Sequence, residues 1–242
     1  MIATATTGTT ALLEATGLRA GYGGVEVVRG VDLRVEPGEV VALLGPNGAG
    51  KTTTLLTIAG ELSPLGGDLR VLGGVGRDPL HVRARNGLAL VTQERAVLME
   101  LTVAENLRVS RCDRRRALEL FPELEPHLDR RVGLLSGGQQ QMLALARSLA
   151  RDPKLLVIDE LSLGLGPIVV DRLLEVVRAA ADEGIGVLLV EQHVQKAMQV
   201  ADRIVVLRRG VVELAGTVAE LRDRLHDIQD AYLRPGSGGA AR

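Results

Sequence analysis

Aromatic side chains are nearly missing from this chain: its 242 residues include one phenylalanine, two tyrosines and no tryptophan. Proteins that read single-stranded nucleic acid stack bases on aromatic platforms, and three scattered rings cannot build one. Interfaces anchored by buried aromatics are excluded on the same ground. There is a single cysteine, Cys112. It leaves no internal disulfide and fits a reducing compartment. Neither sign of charge prevails, with 29 basic and 30 acidic residues and a net charge of −1. Nothing in that balance draws the chain as a whole onto nucleic acid or an acidic membrane surface. Long apolar runs are missing too. The longest, Val40–Leu44 and Met142–Ala146, have five residues, whereas a membrane span needs about 20. The opening residues carry no basic segment followed by an apolar one, so no secretory signal is read there. These absences describe a chain that stays inside the cell unless a partner holds it at a membrane.

What is present is aliphatic: 46% of the chain is hydrophobic, with 41 leucines and 29 valines. Apolar runs of four or five residues recur at Val40–Leu44, Leu88–Val91, Leu155–Ile158, Val187–Val190 and Ile204–Leu207. Continuous runs of this kind suit strands buried on both faces of a parallel sheet. Residues 51–59, 138–150, 168–183 and 194–201 carry apolar positions at helical spacing between them. The alternation predicts an α/β fold with a mostly parallel sheet. Leu12–Leu18, Val25–Val28 and Val31–Val35 are short strand candidates broken by glycine and proline, and predict an N-terminal β flank. Residues 96–135, with the charged stretch Arg111–Arg116, read as an inserted α-helical subdomain, reaching about residue 150 with the helix that follows. Residues 1–11 and 234–242 are Thr-, Ala-, Gly- and Ser-rich and are expected to be disordered.

The strongest local signal is Gly45-Pro46-Asn47-Gly48-Ala49-Gly50-Lys51-Thr52. It matches G-x-x-x-x-G-K-[ST] at every fixed position, between a buried strand and a helix. The glycines let successive backbone N–H groups face one concavity that suits phosphate oxygens, and the helix N-terminus adds positive potential. Lys51 is placed to reach the β- and γ-phosphates of ATP, the Thr52 hydroxyl to sit on Mg²⁺, and Thr53 follows in the same turn. The second signal is Leu155-Leu156-Val157-Ile158-Asp159-Glu160. Four apolar residues lead to two acids, so the carboxylates emerge at the strand's C-terminal end, where open α/β sheets bind ligands. Asp159 suits Mg²⁺, and Glu160 suits polarising an attacking water. The third is Ser136-Gly137-Gly138-Gln139. Ser136 can cap the helix that starts there, and two exposed glycines at that end can also form an anion site. On local physics an ordinary capped helix start is an equally good reading.

With those segments in that order, the chain resembles the ATP-binding subunits of ABC transporters over about residues 12–233. Ser136-Gly137-Gly138-Gln139 is similar to the family's signature motif. The resemblance implies a P-loop NTPase core in which two such domains sandwich two ATPs head to tail. Each ATP then touches the P-loop of one subunit and the signature serine and glycines of the other. Tyr22 resembles the aromatic that stacks on adenine. Gln93 resembles the glutamine that senses the γ-phosphate and Mg²⁺, and His193 the switch histidine at the γ-phosphate. Leu161-Ser162-Leu163-Gly164-Leu165-Gly166-Pro167 departs from many members, with Leu161 where they have proline and Gly166 where they have aspartate. That version is similar to the subfamily that imports branched-chain amino acids, as are Ala20-Gly21-Tyr22-Gly23, Val190-Glu191-Gln192 and the ending Ala231-Tyr232-Leu233.

The resemblance therefore implies an ATPase peripheral to the inner face of the cell membrane. Its partners would be a second ATP-binding subunit, identical or related, polytopic permease subunits, and a solute-binding protein; no nucleic acid is implied. Two other readings stand beside it: an ABC-type ATPase that does not transport, and a regulator that binds nucleotide without turning it over. Lys51, Asp159, Glu160 and His193 together weigh against the last. His81, His127 and His226 are expected to be solvated and to form no metal cluster. Arg111–Arg116 is expected to be a solvated helix face, and Met142 to be core.

Overall fold

The computed structural model describes residues 11–222. The expected tail at 234–242, His226 and the ending Ala231–Leu233 lie outside them. In chain order the strands are β1 (Leu13–Tyr22), β2 (Val25–Val35), β3 (Val40–Leu44), β4 (Gly66–Val71), β5 (Gly74–Val75), β6 (Leu88–Val91), β7 (Leu155–Asp159), β8 (Gly186–Glu191), β9 (Arg203–Arg208) and β10 (Val211–Thr217). The α-helices are α1 (Lys51–Ala59), α2 (Leu80–Arg85), α3 (Val103–Val109), α4 (Arg114–Leu120), α5 (Gly137–Leu149), α6 (Pro167–Asp182), α7 (Val194–Val200) and α8 (Val218–Leu221).

The larger sheet has six strands in the order β10-β9-β3-β8-β7-β6. Its five inner and edge strands β9, β3, β8, β7 and β6 run parallel, and β10 closes one edge antiparallel to β9. Every residue of β3, β7 and β8 is buried, as continuous apolar runs require when both faces are covered. Successive side chains alternate between two cores. Leu156 and Ile158 join Leu143, Leu145 and Leu173 of α5 and α6 on one face. Val157, Leu188 and Val190 join Ile58 of α1 and Leu13 and Val28 of the flank on the other.

The flank is a second, four-stranded antiparallel sheet, β2-β1-β4-β5. Two expectations change here. The separate candidates Val25–Val28 and Val31–Val35 are one strand that runs through Gly30 at positive φ. Residues 66–75 also join the sheet, although Gly66, Gly67, Gly73 and Gly74 hide them from a hydropathy reading. Between β6 and β7 lie α3, α4, 3₁₀ turns at Pro122–His127 and Val132–Leu134, and then α5. Their apolar residues, Val103, Leu107, Ala117, Phe121 and Leu124, belong to the same core as α5, α6 and β7. Phe121 is fully buried beneath the Arg172 guanidinium, 5.3 Å from the ring centroid. Truncating such a ring to alanine costs about 3–5 kcal/mol. Arg111–Arg116 is not one helix face. Arg111 sits in a turn at positive φ, Asp113 caps α4, Arg115 pairs with Glu119, and Arg116 pairs with Glu183.

Candidate functional site

Strand order brings the motifs together. In register, Leu44 of β3 lies beside Glu191 of β8, and Val190 of β8 beside Asp159 of β7. Ile158 of β7 lies beside Val91 of β6. The C-terminal ends of four parallel strands therefore stand in one row, carrying Gly45, Glu191, Asp159 and the Gln93 loop. This is the edge where open α/β sheets take ligands.

At the first position the chain turns sharply from β3 into α1. A Cβ on Gly45 would lie 2.3 Å from the Leu207 carbonyl oxygen, so only glycine passes there. The loop is held by Gly210 N–H donating to the Ala49 carbonyl at 2.9 Å, and Arg29 N–H donating to the Gly210 carbonyl at 2.7 Å. Gly50 caps α1 in the left-handed conformation. Lys51 is buried, and its ammonium donates to the carbonyls of Gly45 at 2.8 Å and Pro46 at 3.3 Å. Its Nζ is 3.9 Å from Glu160 Oε1. Burial pushes the Lys51 pKa down, against Glu160, Asp159 and Glu191, which push it up. Thr52 is exposed at the mouth, while Thr53 is buried behind it and its carbonyl accepts from Thr57.

Asp159, at the end of β7, is buried, and its pKa is pushed up to about 6. Burial is the main cause; Glu160 and Glu191 add to it and Lys51 opposes it. Glu160 follows at φ 49, a left-handed conformation that costs a non-glycine residue about 1 kcal/mol or more. Its N–H donates to the Val190 carbonyl at 2.9 Å, which pins the strained residue to β8. Three carboxylates thus surround one ammonium. That donor set fits a small divalent cation, with Asp159 and Thr52 as the protein oxygens and phosphate supplying the rest. Among the described residues no cluster of three or more His, Cys, Asp or Glu forms a cage of its own.

Sequence reasoning assigned no role to Glu191 or Ser162. Glu191 is buried and its carboxylate accepts from the Ser162 N–H at 3.0 Å, the Ser162 hydroxyl at 2.9 Å and the Gln192 N–H at 3.2 Å. Because the Ser162 proton goes to Glu191, His193 Nδ1–H donates to Ser162 Oγ at 3.2 Å. His193 itself is exposed at the start of α7. The signal for Glu191 was an acid ending a buried apolar strand, the same pattern that drew attention to Asp159.

Gln93 is exposed in the loop after β6. Two residues on, Arg95 at φ 64 donates to Gln141 Oε1 at 3.0 Å and Gln140 Oε1 at 2.9 Å, tying this loop to α5. At the start of α5, Ser136 accepts from Gln139 N–H at 3.3 Å and Gln139 Oε1 accepts from Ser136 N–H at 3.0 Å. This capping box leaves Ser136 exposed and Gly137 half-buried. The sequence led us to expect two exposed glycines, and neither is: Gly138 is buried, and a Cβ there would meet Val169 Cγ1 at 2.8 Å, because α6 packs against this turn. His127, expected to be solvated, is half-buried and its Nε2 accepts from the Gln139 amide at 2.8 Å. Tyr22 ends β1 at the hairpin tip, half exposed beside Val25. Neither Tyr22 nor Ser136 makes a side-chain hydrogen bond to Lys51, Asp159 or Glu160 among the described residues.

A family model described as "ABC transporter" matches residues 28–162. The chain is 39% identical over 223 residues to the high-affinity branched-chain amino acid transport ATP-binding protein BraG of Pseudomonas aeruginosa, covering 88% of this chain and 95% of that one. It is 35% identical over 237 residues to the lipopolysaccharide export system ATP-binding protein LptB of Escherichia coli, covering 92% and 97%. Among solved structures it superposes on an ATP-binding subunit of an ABC transporter with a TM-score of 0.79 at 31% identity, covering 89% and 93%. It also superposes on a dimeric ATP-binding cassette bound to ADP and phosphate with a TM-score of 0.74 at 25% identity, covering 85% and 98%.

Proposed function

The chain belongs to the ABC transporter family, and from that premise we propose that it powers import of a branched-chain amino acid through separate membrane subunits. It is an ATP-binding, ATP-hydrolysing subunit, and cassettes of its kind dimerise and work with membrane partners. The observation that carries hydrolysis is the convergence of Lys51, Asp159 and Glu160 at one edge of the sheet.

In this reading the P-loop N–H groups and Lys51 hold the phosphates, and a phosphate oxygen takes over the Lys51 bonds to Gly45 and Pro46. Asp159 and Thr52 would hold Mg²⁺, which supplies charge neutralisation at the phosphates. Glu160 orients a water for in-line attack, in a position fixed by its bond to Val190. His193, steadied by Ser162, and Gln93 face the γ-phosphate side. Tyr22 stacks on adenine. The Ser136 hydroxyl accepts within its own helix, which leaves its proton for a phosphate oxygen held by a second copy or a related chain. That arrangement gives each chain two half-sites.

Among the described residues no helix is long and apolar enough to cross a membrane. The family supports a place at the cytoplasmic face on a permease, and the likeness to an importer subunit supports a solute-binding protein completing the assembly. The import reading is supported by the BraG likeness and by the Leu161–Pro167 segment; the LptB likeness is the observation behind a rival export reading. Uptake of labelled leucine, isoleucine and valine in a deletion strain tests it. Uptake should fall, and return with the wild-type chain but not with Glu160→Gln. Unchanged uptake with altered envelope lipopolysaccharide would hand the assignment to export.

A further inference from the structure

Three consecutive glutamines, Gln139, Gln140 and Gln141, stand in the first turns of α5 behind Ser136. Each has its amide oriented by groups that can play only one part in a hydrogen bond. Gln140 donates its amide nitrogen to the Val132 carbonyl at 3.1 Å and the Leu135 carbonyl at 3.3 Å, and its oxygen accepts from Arg95 at 2.9 Å. Gln141 Oε1 accepts from Arg95 Nε at 3.0 Å. Gln139 Oε1 accepts from the Ser136 N–H at 3.0 Å. A backbone N–H only donates, so this bond turns the Gln139 amide nitrogen to the other side. There it meets His127 Nε2 at 2.8 Å. Two donors cannot share that distance, so Nε2 presents its lone pair and neutral His127 carries its proton on Nδ1. The capping box thus dictates the tautomer of a histidine 12 positions upstream.

The His127 ring is delivered by a packed platform. It ends the 3₁₀ turn Pro122–His127, whose Leu124 is fully buried in the same core as Phe121. The His127 carbonyl accepts from the Arg130 N–H at 2.9 Å, and the next carbonyl, of Leu128, accepts from the Ala104 N–H of α3 at 2.9 Å. Ser136, by contrast, is exposed, and among the described residues its N–H and hydroxyl bond only to Gln139.

We infer that His127 is a positioning residue for the ATP met by the Ser136–Gly138 segment. Its Nε2 lone pair holds the Gln139 amide, the amide holds the Ser136 backbone, and the Ser136 hydroxyl is thereby aimed at the phosphate of the opposing chain. This rests on the proposed function, in which that segment completes another chain's site, and adds the group that keeps the segment in shape. Turning the Gln139 amide over would set its oxygen against the Nε2 lone pair and its NH₂ against the Ser136 N–H, two repulsive contacts at once. The donor is therefore held ready before the phosphate arrives, and preorganised donors need no rearrangement at the moment of reaction. A carboxylate at position 127 could accept the same bond, but its charge would lie beside a helix start that has to receive an anion. Neutral imidazole supplies the acceptor without that charge.

The test uses the full chain in the assembly in which it purifies. Nitrogen-15 spectra of the imidazoles, assigned by the signals lost in His127→Gln, should show His127 protonated at Nδ1 and bare at Nε2. His127→Gln returns a carbonyl acceptor and should retain about half or more of the steady-state phosphate release at saturating ATP. His127→Leu has no acceptor and His127→Lys only donors; each should lower that release about tenfold or more, a part of what a lost phosphate donor costs. ATP affinity of the single chain, measured by calorimetry, should not change in any of them, because the Lys51 site is untouched. If the lysine variant does not fold, the leucine and glutamine variants decide. Equal losses in those two, a ring protonated at Nε2, or a loss of single-chain affinity would overturn the inference. Ser136→Arg separates the two levels. If it stops turnover while His127→Leu does not, the positioning role fails and the shared-site reading stands. If Ser136→Arg leaves turnover normal, both fail.

Discussion

The half-site at the sheet edge is charged and enclosed, whereas the half-site at the start of α5 is neutral and open. Lys51, Asp159 and Glu191 are buried together; burial pushes the Lys51 pKa down and the Asp159 pKa up, and the Glu191 charge acts to raise both. Ser136 is exposed and its polar atoms serve a capping box. The first region holds its geometry through the chain's own bonds, down to a strained Glu160 pinned to Val190. The second has hydrogen-bonding capacity but no charge, and needs an anion brought by another chain. In the function proposed above, a protein built this way binds nucleotide alone and hydrolyses it in pairs.

Substitutions on each side separate the two roles. Glu160→Gln should lower steady-state phosphate release about 100-fold or more, the scale of a lost general base, with ATP binding intact. Near-normal release would remove Glu160 from that role. Ser136→Arg should lower turnover about 100-fold through the opposing site while nucleotide affinity of the single chain, measured by calorimetry, stays put. A matching loss of affinity would erase the distinction between the halves. His193→Ala should cost roughly tenfold or more in turnover, as one lost polar contact to transferring phosphate does. If Gln192→Ala carries that loss instead, the γ-phosphate contact belongs one residue upstream.

Asp159 offers a pH test of the enclosed half. Its folded pKa of about 6 lies above the ordinary 3.8, so the protonated form favours folding. That stabilisation is full below the ordinary value and is lost as pH rises through about 6. Without Mg²⁺, Tm should therefore rise as pH falls from 7 to about 5. Mg²⁺ requires the carboxylate, so its affinity should fall over the same window, and Asp159→Asn should abolish both trends. A flat Tm profile would count against a buried, cation-seeking Asp159. The smallest effect is expected at Tyr22. Tyr22→Ala should weaken ATP affinity by about 1 kcal/mol, the low end for base stacking on an aromatic ring, and unchanged affinity would leave the stacking role without support.

Much of this was legible before any coordinates. Val40–Leu44 and Leu88–Val91 match β3 and β6 end to end, and Lys51–Ala59 matches α1. Buried parallel strands and a Gly-bounded helix leave strong local marks. β4, β5 and β10 were missed because their residues carry no such mark. β10 has no fully buried residue, and β4 opens on two glycines. Within the site, Lys51, Asp159 and Glu160 were marked by motif, whereas Glu191 and Ser162 were not. What joins them is a contact between the loop after β7 and the end of β8, 29 positions apart in sequence.

Local pattern alone determined the buried parallel strands, α1, the phosphate loop and the acids at the end of β7, because hydrophobic periodicity and glycine spacing are properties of neighbouring residues. Tertiary structure decided which ends stand side by side. It set β8 between the P-loop strand and β7, buried Gly138 under Val169, drew His127 onto Gln139, and gathered Glu160, Asp159 and Glu191 around Lys51. Those outcomes depend on strand order and on the sum of charges from distant segments, neither of which is written in any local stretch of sequence.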